Sequence, residues 1–232
     1  MLQQDLRVAL FTVEMALAAT GAILVPGVLA ALLVARYRGP GRGALDTLLS
    51  LPLVLPPTAV GLVLLELLGR NRPLGAWLSR HGFEVVFTWK AVVLATAVMS
   101  FPLLVRSART AFEEVDPRLV GIARTLGCGP VSAFFRVTLP LARRGVLAGA
   151  VLAFSRAHGE FGATILVAGN IPGRTQTLAL AIFQEVQAGR DERAMALAGW
   201  TVALAFVALW SAEWILRGRR GSQRTGAAGA AP

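Results

Sequence analysis

Apolar residues dominate five stretches of this 232-residue chain, at about 8–35, 46–68, 86–105, 145–168 and 194–216. Between them lie segments rich in arginine, glycine and proline. Each stretch reaches the ~20 residues that carry a helix across a hydrocarbon core of about 30 Å, so the pattern predicts five membrane-spanning helices and an all-α, polytopic membrane protein. The first is interrupted only by Glu14, Gly21 and Pro26. At 28 residues, Val8–Ala35 far exceeds the ~7–15 apolar residues of a secretory leader, and it is expected to stay in place as the first span.

One polar insert breaks this rhythm. From Asp116 the pattern predicts two short helices. Asp116-Pro117 reads as an N-cap followed by proline at the first helical position. Leu119, Ile122, Ala123 and Leu126 then fall on one helix face, at i, i+3, i+4 and i+7. Gly127 and Gly129 stop the helix, with Gly127 suited to a left-handed cap. Pro130 restarts a second helix over Val131–Val137, and Leu139-Pro140 leads back to the membrane. The expected product is a helical elbow at about 112–140 with an apolar face turned to solvent. Such a face marks a docking surface, unless the elbow merely packs on the bundle's own inner surface.

Composition strengthens the membrane reading: 55% of residues are hydrophobic and 16% charged, with mean hydropathy +0.63. The net charge of +10 invites a nucleic-acid reading. The arginines, however, cluster at the ends of apolar stretches, which positive-inside topology explains better. With the N-terminus outside, fourteen of the 23 basic residues face inward, in the groups 36–42, 106–144 and 217–224, and eight face outward. This puts the elbow and the C-terminus in the cytoplasm. Trp77, Trp89, Trp200 and Trp214 fall near expected span ends, as an interfacial belt requires. Residues 1–216 are read as one membrane domain, and the basic, low-complexity tail 217–232 as disordered. The segment 170–192 reads as an outer loop with a short apolar helix near Leu178–Phe183. Cys128 stands alone, so neither an intrachain disulfide nor a metal cluster is expected.

Charges inside a span narrow the chemistry. Arg156 and Glu160, four apart in the fourth stretch, are placed on one helix face, where charges at membrane depth pair and face the bundle interior or a water path. They are either a structural pair or part of a path for an oxyanion. Ser155, Gly162 and Thr164 lie beside them. Pro56 and Pro57, with Pro52 and Pro102, mark places where a transport helix bends. His158 is expected as a neutral imidazole facing lipid or a neighbouring helix.

Ser155, His158 and Glu160 do not make a hydrolase. Glu160 sits two residues from His158, about 200° round a helix, and cannot easily orient its ring. No G-x-S-x-G or H-E-x-x-H sequence is present. The only lysine, Lys90, follows Trp89, so the chain lacks a P-loop and cannot itself hydrolyse ATP. A stand-alone channel or secondary carrier is a further class, but the five spans are unlike one another and show no repeat.

The elbow GIARTLGCGPVSAFFRVTLP resembles the cytoplasmic loop signature of bacterial ABC-importer permeases: Glu-Ala-Ala, three residues, Gly, nine residues, Ile, any residue, Leu-Pro. Ala123, Gly127, Leu139 and Pro140 match, Val137 stands for Ile, and Gly121 and Ile122 replace Glu and Ala. The run RAHGEFGAT at 156–164 and AGNIPGRTQTL at 168–178 resemble molybdate permeases, with sulfate permeases sharing a looser version. LPLVLPP in the second stretch and SFPLLVRSAR closing the third look like the same family. His158 stands where the family has leucine. The resemblance covers about residues 8–216. It implies a type I ABC-importer permease in a bacterial inner membrane, carrying molybdate or else tungstate or sulfate. It also implies a homodimer, a pair of cytoplasmic ATPase subunits holding the ATP and Mg, and a periplasmic or lipid-anchored molybdate-binding protein. On this resemblance Gly121, Ile122, Ala123, Leu126, Gly127, Gly129, Pro130, Val137, Leu139 and Pro140 form the coupling helix that meets the ATPase. Ser155, Arg156, Glu160, Gly162, Thr164, Pro56 and Pro57 are the path candidates.

Overall fold

The fold comes from a computed structural model that describes residues 2–217, with side chains described within 3–210. Arg217, the first residue of the expected tail 217–232, is the last residue of a helix, while residues 218–232 and the side chain of Trp214 lie outside the described residues. Every element there is helical. In chain order these are α1 (Leu2–Arg36), α2 (Arg42–Val54), α3 (Pro57–Leu68), α4 (Pro73–Arg80), α5 (Trp89–Glu113), α6 (Pro117–Thr125), α7 (Pro130–Ala133), a π-helical turn (Phe134–Thr138), α8 (Leu139–His158), α9 (Gly162–Val167), α10 (Leu178–Gln187) and α11 (Asp191–Arg217).

Four long apolar helices and one bent pair correspond to the five expected spans, but two spans differ in shape. The second is not one kinked helix: α2 and α3 meet at 105°. Pro56 and Pro57 together remove two backbone donors, and a residue before proline is forced into extended backbone. Leu55 and Pro56 are indeed extended (ψ 142° and 132°), and Pro57 opens α3 as its first residue. The fourth expected span, 145–168, is likewise interrupted. Its helix ends at His158, residues 159–161 turn, and α9 restarts at Gly162.

α5 is the central helix, packed along α1 on one side and α8 on the other. Small residues let the backbones approach. A methyl on Gly145 would meet Ala111 at 2.3 Å, and one on Gly149 would meet Ser107 at 3.0 Å. Ser107 Oγ donates to the Gly145 carbonyl at 2.8 Å, joining the same two helices. Trp200, expected at an interface, is half-buried against a cluster that includes Ala9, Leu178, Ala181 and Leu197.

At the end remote from the elbow, the expected outer loop 170–192 is not all on the surface: Thr175, Gln176 and Thr177 are buried. Their polar groups are satisfied internally, as burial requires. Ile171 N–H donates to Thr175 Oγ1 at 3.0 Å, Gln176 Nε2 donates to Gln184 at 2.7 Å, and Leu178 N–H donates to Thr12 Oγ1 of α1 at 2.9 Å.

A clasp closes the same end. Glu185 accepts from Arg190 Nε at 2.5 Å, Arg193 approaches it at 3.6 Å, and Arg193 reaches Asp5 of α1 at 3.7 Å. The hydrogen bond from Arg190 holds the Glu185 carboxyl below its ordinary value. A depressed carboxylate stabilises the fold in full above its unfolded pKa and loses that contribution as pH falls through the folded value. Amides of the α10–α11 turn are therefore expected to lose protection, measured against their intrinsic rates, as pH falls below the ordinary carboxylate range. Arg190→Gln should remove that extra acid sensitivity, as hydrogen exchange across a pH series would show.

Candidate translocation site and coupling elbow

The elbow forms largely as its residues dictate. Asp116 caps α6 by accepting from Arg118 N–H at 2.8 Å, and Pro117 occupies the first turn. Gly127 ends the helix at φ +87°, the left-handed geometry that disfavours a Cβ. Leu119 and Ile122 on α6 and Leu126 at its C-terminal cap, with Val131 and Phe135 after the turn, are all exposed, Leu126 at 80%. Gly121, Gly129 and Pro130 are exposed as well, whereas Ala123 is half-buried. The apolar face therefore points away from the bundle.

The second half of the elbow differs from expectation. No break occurs at Leu139-Pro140: α7, the π turn and α8 run as one 29-residue helix, Pro130–His158. Pro140 has no N–H for the Arg136 carbonyl, and its ring would crowd that group in a regular helix. The wider turn over Phe134–Thr138 absorbs the conflict. Val137 and Leu139 are half-buried on this continuous helix. Arg36 at the end of α1 donates to Thr138 at 3.3 Å and fastens the turn to the bundle.

Deeper in the molecule, the two broken spans meet. A methyl on Gly61 of α3 would stand 2.7 Å from the Ala163 carbonyl oxygen, and one on Gly162 would stand 2.7 Å from Pro57 Cβ. Only glycine permits backbones this close. The Pro56-Pro57 break is thereby seated against the 159–161 break.

Glu160 organises the second break. Its side chain is 1% exposed, and one oxygen accepts from Ala163 N–H at 2.8 Å, capping the start of α9. The other lies 2.6 Å from Arg156 Nη2. The two were expected on one helix face. Instead Glu160 sits past the end of α8 and reaches back, because Gly159 lets the chain turn. Arg156 remains 28% exposed, so its guanidinium is neutralised on one side and open on the other. Ser155 Oγ donates to the Val151 carbonyl at 2.9 Å. Thr164 is fully buried. His158 is buried and stacks on Phe154 at 6.4 Å. Ser155, His158 and Glu160 thus have separate partners.

Sequence reasoning missed Gly61 and the buried strap 175–177. A glycine inside an apolar run was a weak signal for the first. The dense Thr-Gln-Thr polarity beside Leu178 was the only one for the second.

A family profile described as "Binding-protein-dependent transport system inner membrane component" matches residues 27–221. The chain belongs to this family. It is therefore a multi-pass component of an inner membrane transport system. The molybdenum transport system permease protein ModB of Escherichia coli (strain K12) is 46% identical over 193 residues, covering 82% of this chain and 84% of the relative. ModB of Azotobacter vinelandii is 38% identical over 210 residues, 90% of this chain and 93% of that protein. The sulfate transport system permease protein CysT of E. coli (strain K12) is 38% identical over 185 residues, 80% and 67% of the two chains. In structure, the family fold extends to the MetNI methionine ABC transporter in inward-facing form. That chain gives a TM-score of 0.74 at 17% identity, over 94% of this chain and 97% of the other. The type I ABC-importer membrane fold is thus established for this permease.

Proposed function

We propose that this permease carries molybdate inward across the bacterial cytoplasmic membrane as the transmembrane subunit of an ATP-driven importer. The observation that carries the reading is the exposed apolar elbow, on a chain 46% identical to a molybdenum transport permease. Two copies pair around a two-fold axis and enclose the path between them. A separate pair of ATPase subunits, which hold ATP and Mg, docks on the two elbows from the cytoplasm. A periplasmic or lipid-anchored binding protein delivers the oxyanion and sets most of the selectivity. The N-terminus lies outside and the C-terminus in the cytoplasm, in keeping with the arginine distribution.

In this mechanism the closing of the ATPase pair draws the elbows together. Each elbow continues without interruption into α8, so its displacement reaches Arg156 and the paired breaks directly. The open side of Arg156 offers transient positive potential to a tetrahedral dianion. Its bond to Glu160 keeps that attraction too weak to trap the ion.

The test is ATP hydrolysis by the permease–ATPase complex in proteoliposomes, with the binding protein loaded with molybdate, tungstate or sulfate. Stimulation by the molybdate-loaded protein supports the proposal. Stimulation by the sulfate-loaded form alone moves the chain to the sulfate reading that the CysT likeness favours. Failure of any ATPase to associate sinks the coupling role of the elbow. Gly127→Val adds a finer check. A β-branched residue in left-handed backbone costs about 1–2 kcal/mol, so the elbow leaves its seat. ATP turnover should persist while molybdate uptake per ATP drops severalfold, and normal coupling would refute the role of this cap.

A further inference from the structure

At the root of the elbow lies a cavity of about 510 Å³ between the end of α1, the start of α2, the end of α5 and α6. Four guanidinium groups line it, from Arg36, Arg38, Arg42 and Arg124, against one carboxylate, Glu113. That carboxylate is already committed: it takes Arg42 at 2.5 Å and Arg109 Nε at 2.9 Å. Arg36 is bonded, among the described residues, only to the neutral hydroxyl of Thr138. Among the described residues, Arg38 and Arg124 pair with no acidic side chain. Gly121 also lines the cavity, so the position where the loop signature carries a glutamate contributes no negative charge. Four guanidinium groups against one carboxylate leave the pocket strongly positive.

Its other wall is apolar, built by Leu32 and Phe112. Outside it, Leu29, Leu33 and Arg36 stand at i, i+4 and i+7 on α1, and both leucines are 57% exposed. One face of α1 therefore leads from an apolar track to an arginine at the pocket mouth.

We propose that this pocket seats the phosphodiester headgroup of an anionic phospholipid, with an acyl chain lying along Leu29 and Leu33. Guanidinium forks match phosphate oxygens in pairs, and basic pockets between spans at headgroup level select anionic lipids. A free tetrahedral oxyanion shares the headgroup's chemistry, but it would leave the leucine track unused. The bound lipid ties α1 to α6 and braces the elbow from behind, on the side opposite its exposed apolar face. The assignment depends on neither the cargo nor the ATPase.

Native mass spectrometry of the purified full-length chain, released from detergent, tests it. Phosphatidylglycerol, phosphatidylcholine and inorganic phosphate are the probes. Phosphatidylglycerol is expected to leave a bound adduct where phosphatidylcholine leaves none. Arg38→Gln combined with Arg124→Gln should weaken that adduct about thirtyfold, from two lost headgroup contacts. Arg118→Gln, on the exposed surface of α6 outside the pocket, should leave it unchanged. Equal binding of the two lipids, or full binding by the double variant, overturns the proposal. Displacement of phosphatidylglycerol by excess inorganic phosphate overturns the lipid assignment and gives the pocket to a soluble oxyanion. Survival of the adduct in phosphate supports the lipid.

Discussion

Glu160→Ala is expected to abolish molybdate uptake and destabilise the permease by about 3 kcal/mol. The carboxylate has two tasks, capping α9 at Ala163 and neutralising Arg156. Removing it orphans a charge inside the membrane domain and leaves a helix start bare. The figure sits at the low end for a broken buried pair because Arg156 is partly open. Two further variants separate the tasks. Glu160→Gln keeps a carbonyl for the cap but leaves Arg156 unpaired, so stability should fall by less. Glu160→Gln combined with Arg156→Met removes both charges while keeping the cap, and should recover most of the lost stability. If Arg156 acts on the passing oxyanion, uptake stays lost in this double variant although the protein is stable. Thermal unfolding in detergent beside uptake in proteoliposomes decides the matter. Recovery of uptake with stability would reduce the pair to a structural clamp.

The second large effect is expected at Gly61. Its added methyl would press on Ala163 at 2.7 Å from the carbonyl oxygen and 2.9 Å from Cα. Both are backbone atoms and cannot rotate away. Gly61→Ala should cost about 1–3 kcal/mol by overpacking, and Gly61→Val more. The functional loss should exceed the stability loss, because α3 and α9 carry the two breaks that meet there. Gly21→Ala is the control. Gly21 is exposed in mid-helix α1, and nothing lies within 4 Å of its added methyl, so that variant should be neutral or slightly stabilised. Uptake by Gly61→Ala at the control's level would show that the spans need not lie so close.

The elements that could be read in advance share a cause: each depends on residues near one another in sequence. Apolar length alone located the spans. Asp116, Pro117 and Gly127 signalled the start and stop of α6, and the structure has the cap and the left-handed glycine where those residues demand them. The same local logic explains the double-proline break, though not its angle of 105°, which is set by the packing of α3 on α9. What escaped was set by distant partners. The stretch from Arg156 to Val167 stays apolar enough to read as one span. Its interruption shows only when Glu160 is seen to serve Ala163 as well as Arg156. The strap at 175–177 looked like a solvent loop because polar residues usually are exposed. It is buried because Thr12 and Gln184 supply partners from other helices. Pro140 looked like a helix end, and a widened turn kept the helix running instead.

That uninterrupted helix has a mechanical consequence. Pro130 and His158 are the two ends of a rod about 43 Å long, at 1.5 Å per residue over 29 residues. A rod neither stores nor dissipates a push. Along this shaft the one departure from α-helical pairing is the five-residue turn at Phe134–Thr138. That turn stands near the foot of the rod, so under the proposed mechanism any give in the shaft falls close to the elbow and far from Arg156.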